Sequence, residues 1–376
     1  MMGAQFTLAQ QYSDAKQEEM TDDFRQKLGL IVSNGHLSLA IALGNELNLF
    51  EALAKAGSSV EPASAIDVAR VAHVKARYCH EWLCCMACGE IIETDQTGQQ
   101  FWIGDEKLHI LTGPNKDRNL MANSMLAMFG VAFNEVANAF RQDGPLGVDY
   151  SAYPGFYDNM NNFSIAMHKN HLIKDLVPQM HMQGPLHNGI EVLDVGCGGG
   201  FHVLEMAQHY PKSKFIGIDF GAEGVRQAQE DANKKGLKNA SFVLANAAEL
   251  DASWTDKFDL VTIFDACHDQ TRPDLAMEEI YRCLKPGGQF SMVEVNGSGN
   301  CYVDKMKLGP EVSSFLYANS IFHCLPVGCN SEDALQLGTM WGVDRGKLLL
   351  ESVGFKNITI EQIPYFDFNV LYKATK

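Results

Sequence analysis

Residues 191–200 read EVLDVGCGGG, and the fold is decided there. Glu191 to Val195 is a buried strand that runs straight into a glycine-rich turn. Phe201 to His209 then has the apolar spacing of a helix. Strand, turn and helix in this order aim backbone N–H groups and a helix N-terminus at a ligand. The dinucleotide fingerprint G-x-G-x-x-G does not fit. Counted from Gly196 and Gly198, its third small residue falls on Phe201; counted from Gly198 and Gly200, it falls on Val203. Asp194, closing the strand, would repel a pyrophosphate. It suits a ligand that carries positive charge, such as an amino group and a sulfonium.

Working outward, strand and helix keep alternating. Lys214 to Asp219 (KFIGID) is a short apolar strand ending in an acid. Ala222 to Lys235 is a polar, Ala-rich helix stopped by Gly236, and Ser241 to Leu244 is a strand. Phe258 to Phe264 (FDLVTIF) is almost continuously apolar, as a central parallel strand buried on both faces should be. A helix over Leu275 to Leu284, a turn at Lys285 to Gly288 and a strand over Gln289 to Val295 follow. Lys347 to Val353 reads as a helix, and Lys356 to Ile360 and Tyr365 to Tyr372 as two last strands. The expectation is an α/β, Rossmann-like, doubly wound sheet of seven strands.

This pattern resembles the class I S-adenosylmethionine-dependent methyltransferases over about residues 185–376. The KPGG turn before the fifth strand is a further point of likeness. The resemblance implies S-adenosyl-L-methionine as cofactor, with Asp194, Gly196, Cys197 and Gly198 around the loop and Asp265 at the end of the fourth strand. It makes Asp219 the ribose ligand, since an acid at that strand end accepts from ribose hydroxyls, with Phe220 beside the adenine. Asn246, with Ala247 after it, stands where the family usually has an acid reading the adenine; an amide both accepts and donates.

The chain has 376 residues, room for about two domains, and at 46% hydrophobic and 20% charged content it is globular. Residues 23–113 read as three helices (37–56, 62–71 and 74–88) and a short hairpin over 91–103, which is a winged-helix unit. Val74 to Cys88 would be a DNA recognition helix, but residues 1–115 carry about seven more acids than bases, the wrong sign for nucleic acid. The whole chain carries −16, which also disfavours an anionic membrane. GNELNLFEAL and YCHEWLCCMACGEIIE resemble the N-terminal domain of two-domain small-molecule methyltransferases of bacteria and invertebrates. There that domain serves dimerisation, so a homodimer is expected. The domain plan is 1–115 winged helix, 116–184 helical linker covering the active site, and 185–376 cofactor-binding domain. No uninterrupted run of about 18 apolar residues stands out, so no membrane helix is expected. The N-terminus lacks the basic and apolar regions of a secretion signal. Ten cysteines without a framework spacing point to reduced thiols and a cytoplasmic setting.

For the chemistry, an in-line methyl transfer needs a positioned acceptor and, for a hydroxyl or a protonated amine, a proton acceptor. The fourth strand runs into Phe264-Asp265-Ala266-Cys267-His268-Asp269. His268 is a candidate base, with Asp265 or Asp269 to orient it or to bind a cationic acceptor. A long segment, Glu311 to Trp341, is placed to form a lid; its YANSIFHCLP and LGTMWG also resemble the family, and it offers Tyr317 and a rival base, His323. Tyr157, Phe163, Met167 and His168 fall at helical spacing before the first strand, with Tyr157, Phe163 and His168 as candidate acceptor contacts. His168 and His171 share a helix face, but no carboxylate completes a ligand set, so no metal is expected. The expected activity is methylation of an O or N atom of a small aromatic or heterocyclic metabolite.

Overall fold

The computed structural model describes residues 2–114 and 116–376, with side chains from Met20 onward. It separates into two compact units, residues 1–127 and 128–376.

In the first unit a helix runs over Met2–Glu46. It breaks at Asn48, whose φ is 53°, a left-handed conformation that asparagine tolerates. A second helix, Leu49–Ala56, follows. The expected unbroken helix over 37–56 is therefore two. Ser64 then starts the helix Ala65–Ala72 with a capping box: its side chain accepts from the Asp67 N–H while Asp67 accepts from the Ser64 N–H. The fourth helix is Ala76–Cys88. The wing has three strands, β1 (Ala63–Ser64), β2 (Glu93–Thr94) and β3 (Gln100–Trp102), ordered β1-β3-β2. Asp95 accepts from the N–H groups of Gln99 and Gln100, and this Asx geometry closes the hairpin. Phe50, Leu53, Leu83, Met86 and Phe101 are buried at the centre. Each such side chain contributes about 1.5–3 kcal/mol by leaving water.

The second unit is built on a seven-stranded sheet of β4 (Glu191–Val195), β5 (Lys214–Asp219), β6 (Ala240–Leu244), β7 (Phe258–Phe264), β8 (Leu284–Val295), β9 (Lys356–Gln362) and β10 (Asn369–Thr375). Their order is β6-β5-β4-β7-β8-β10-β9. The first five are parallel, and β10 runs antiparallel to both β8 and β9. Both faces are covered, which is why the strands read as apolar runs. Val192, Leu260, Val293 and Leu371 face one core; Leu193, Val261, Ile263 and Met292 face the other. The chain order reverses between β4 and β7, and a ligand crevice opens there. KPGG is not a turn ahead of β8 but part of it, with the Gly287 N–H bonded to the Lys376 carbonyl. Tyr365 to Phe368 is likewise a turn and not strand.

The segment ahead of β4 contains the helices Arg118–Ala139 and Phe156–His168 and a π turn at Leu172–Leu176. The expected lid is the helix Pro310–Asn319, a second π turn at Ser320–Cys324 and a short helix at Leu325–Gly328. Among the described residues two helical stretches, Met20–Glu46 and Arg118–Ala139, are long and apolar enough to cross a bilayer, each with a mean hydropathy of 1.3. The expectation of none relied on unbroken apolar runs, and scattered polar residues hid these. Length and composition are equally those of helices that pair with a protein surface.

Candidate active site

A cavity of about 520 Å³ opens at the carboxyl ends of the parallel strands, lined by Gly196, Asp219, Phe220, Asn246, Ala247, Ala266 and Asp269, with Tyr150 and Val327 on its outer wall. That volume is in the range of small-molecule sites. The chain at or just past the ends of β4, β5, β6 and β7 thus reaches one space, whereas the predicted Asp194, Cys197, Gly198 and Asp265 are not among its lining residues. Gly196 sits at φ 71°, and a Cβ there would stand 2.5 Å from the Cβ of Ala266. Only glycine closes this turn.

Asp219 ties the crevice together. One carboxylate oxygen accepts from the Gly198 N–H and the other from the Gly221 N–H, both at 2.8 Å. Burial raises its pKa, against the pull of those hydrogen bonds. The Tyr157 hydroxyl lies 3.4 Å from it, and the Tyr157 ring rests on Gly221 and Gly224. A Cβ on Gly221 would fall 1.5 Å from that hydroxyl. Asp194 lies deeper, accepting from the Thr262 hydroxyl at 2.6 Å; burial pushes its pKa up to about 7. Asp265, at φ 52°, accepts from the Asn369 amide. Desolvation, with Glu294 nearby, raises it to about 7. Cys197 is buried in the loop, and burial holds its thiol protonated.

Beside the cavity runs a row of charged and aromatic groups. Glu294, wholly buried on β8, lies 2.6 Å from Nδ1 of His268. Nε2 of His268 lies 3.2 Å from Asp269, and Nδ1 of His323 lies 3.7 Å from the other oxygen of Asp269. Burial alone would lower the pKa of His268, but the Glu294 and Asp269 carboxylates override it and hold the ring well above its ordinary value. His323 is the opposite case: burial lowers it, the His268 charge lowers it further, and Asp269 only partly compensates. Its Nε2 has no hydrogen-bond partner. The His323 ring stacks on Phe156 at 4.5 Å and meets the edges of Tyr150 and Tyr153. His268, Asp269 and Cys324 also bring ligand atoms within 4.8 Å of one another. Both ring nitrogens of His268 already lie against carboxylates, Glu294 and Asp269, and in this arrangement the trio forms part of a charge network.

Other candidates fall outside the cavity lining. Tyr317 donates its hydroxyl to Asp304 and packs with Val295 and Met340. Phe163 packs on the core beneath one sheet face. His168 is buried, 3.0 Å from the Tyr365 hydroxyl and edge-on to His202. Helical spacing before the first sheet strand placed Phe163 and His168 near the crevice and the long lid segment placed Tyr317 there, and neither signal tells a core face from a ligand face. Sequence reasoning missed Glu294, because an acid inside an apolar strand has no local signal. It also missed Tyr150, Tyr153 and Phe156, although their closeness to the Pro154-Gly155 break marks a loop near the crevice.

Buried neutral histidines make this unit acid-sensitive. Burial drives His168 down to about 3 and His202 well below its usual value. Between pH 6.5 and those values the unfolded chain binds protons that the fold refuses, so stability falls as pH falls. The thermal midpoint should therefore drop between pH 7 and pH 5, and His168→Gln should flatten that dependence. An unchanged slope in the variant would exclude His168 as a cause.

Taken together, the crevice belongs to the class of α/β enzymes that hold a nucleoside-bearing ligand with positive charge. Residues 186–321 match the family described as Methyltransferase domain, and residues 35–113 the Rv2258c-like winged HTH domain. The chain is 29% identical over 213 residues to demethylmenaquinone methyltransferase of Lactobacillus johnsonii, covering 55% of this chain and 83% of that protein. It is 28% identical to the fatty-acid O-methyltransferase of Mycolicibacterium smegmatis, over 40% of this chain and 48% of that one. Human N-acetylserotonin methyltransferase in complex with S-adenosylmethionine has the same fold, with a TM-score of 0.66 at 17% identity, covering 93% of this chain and 97% of that one. The chain is an S-adenosylmethionine-dependent methyltransferase with an N-terminal winged-helix domain. Its residues fit that cofactor: a loop with glycine at 196, 198, 199 and 200, an acid for a diol at the end of β5, and several acids for a cation.

Proposed function

We propose that the protein methylates an O or N atom of a small aromatic or heterocyclic metabolite. The observation that carries this reading is the row Glu294–His268–Asp269–His323, which ends among Tyr150, Tyr153 and Phe156 next to the crevice. The aromatic rings offer a planar acceptor faces and edges to pack against. The cofactor supplies an activated methyl group on a sulfonium. The protein's share is to hold the acceptor in line and take its proton. Asp219 and Gly198 fix the crevice floor, with Asp194, Gly196, Phe220, Asn246, Ala247 and Asp265 around it. Asp269 faces the cavity. Of the two histidines, His323 is the better proton acceptor, since its ring is neutral with a free Nε2, whereas His268 already carries its proton and acts as the fixed charge that orients Asp269. The test is incubation with labelled donor and a metabolite extract, followed by identification of the product. Label appearing only on protein or nucleic acid would refute the reading.

Support for a homodimer comes from the long first helix, which exposes Met20, Phe24, Leu28, Ile31, Val32, Leu39 and Leu43. Apolar surface on this scale is costly in water. Light scattering should give twice the chain mass at micromolar concentration, and Ile31→Glu with Leu43→Glu should return the monomer mass. A wild-type monomer would count against the dimer. The acid excess of the same domain supports a role without nucleic acid, and the reduced cysteines a cytoplasmic one.

A further inference from the structure

Resting on the cofactor reading above, we infer that the enzyme recognises the cofactor's base through hydrogen-bond donors, so that its exocyclic 6-amino group contributes little to binding. Asn246 is the residue that sets this preference. The cavity fixes which end the base must take. Gly196 and Ala266 lie at the switch point between β4 and β7, where the methyl-bearing arm must meet the acceptor. Asp219, the acid suited to a diol, closes β5. Beyond it lies only the end of β6, residues Ala245 to Ala248, and the base goes there.

At that end the side chain able to read a base edge is Asn246, which is exposed to the cavity. Its Oδ1 is already engaged, accepting from the Ala248 N–H at 3.0 Å. Its Nδ2 makes no hydrogen bond within the described residues and is the group left to face a ligand. The Ala247 N–H is free in the same sense, whereas Ala245 and Glu249 donate to the carbonyls of Asp219 and Asn246. Two donors therefore face the base, and these match the lone pairs of purine ring nitrogens. A 6-amino group is itself a donor and needs an acceptor. Of the carboxylates lining the cavity, Asp333 pairs with Arg272, and Asp269 follows β7, which β4 and β5 separate from this strand end, and lies 3.2 Å from His268. The Gln270 amide belongs to the loop after β7 and not to this strand end. An aspartate at 246 would keep one oxygen on the Ala248 N–H and offer the other, charged, to the amino group.

The experiment is calorimetry of the full-length protein with S-adenosylhomocysteine and with its 6-deamino purine analogue. For the wild type, removing the amino group should weaken binding by less than about 3-fold, the loss of at most one weak neutral hydrogen bond. Asn246→Asp should bind S-adenosylhomocysteine about 3–10-fold more tightly and should lose about 10-fold or more on the deamino analogue, as a charge-assisted bond requires. A wild-type loss above about 3-fold overturns the inference without any variant. So does an Asn246→Asp protein with wild-type affinity and wild-type indifference to the amino group. Failure of the wild type to bind either compound overturns the cofactor reading together with it.

Discussion

His323→Ala lowers kcat by about 10²–10⁴-fold, the usual contribution of a positioned general base, and leaves S-adenosylhomocysteine affinity near that of the wild type. The ring is the one group of the row that can take a proton at neutral pH, being kept neutral by burial and by the neighbouring imidazolium. The sign of the pH dependence follows. The active form is unprotonated, so kcat is full above the ring's pKa and falls as pH drops through it, at a value below the ordinary 6.5. His268→Ala separates the two histidines by a second readout. It leaves Glu294 as an unpaired charge in the sheet, which costs about 3–5 kcal/mol when one partner of a buried pair is removed. Its thermal midpoint should therefore fall as well as its activity, whereas His323→Ala should melt close to the wild type. Wild-type turnover in His323→Ala with a large loss in a folded His268→Ala would move the base to His268. Wild-type turnover in both would mean that the acceptor brings its own lone pair and that proximity supplies most of the acceleration.

Asp219→Ala weakens S-adenosylhomocysteine binding by about 1–3 kcal/mol, which is roughly 5–150-fold. Two effects combine. The ribose hydroxyls lose a charged acceptor, and the Gly198 and Gly221 N–H groups lose the carboxylate that now holds the loop. Asp219→Asn keeps the size but not the charge and should fall between alanine and wild type. Calorimetry at fixed pH and salt reads both variants. Wild-type affinity in Asp219→Ala would remove this residue from the cofactor site.

The sheet was legible in the sequence because parallel strands buried on both faces leave a long apolar signature, and all of them but β6 were followed by a turn and an α-helix. The strand ends Asp194, Asp219, Asn246 and Asp265 were legible for the same reason. What the sequence hid was tertiary. Glu294 is one acid in an apolar strand, and its meaning depends on His268, 26 residues earlier in the chain. Tyr317 and His323 sit six residues apart in one lid segment, yet one turns to Asp304 and the other to Asp269. Tyr317 is on the helix Pro310–Asn319 and His323 within the π turn Ser320–Cys324 that follows it, and no periodicity announces such a turn. The helix over 37–56 was misjudged at Asn48, where a single left-handed residue breaks an otherwise continuous apolar pattern.

The row of charges also bears on how this enzyme can change over evolution. Its two ends differ in freedom. Tyr150 and Phe156 are only partly buried, at the start of a 3-10 turn and of a helix, so the wall facing an acceptor can be rebuilt there one substitution at a time. Glu294 has no such route: it is fixed in a central strand, and its value depends on a cation elsewhere in the chain. Loss of either member strands the other, and the sequence must cross a valley in fitness unless both change together. New acceptors are therefore reached by repainting the aromatic wall around an inherited proton-handling core, and a lineage that abandons methyl transfer should shed His268 and Glu294 as a pair.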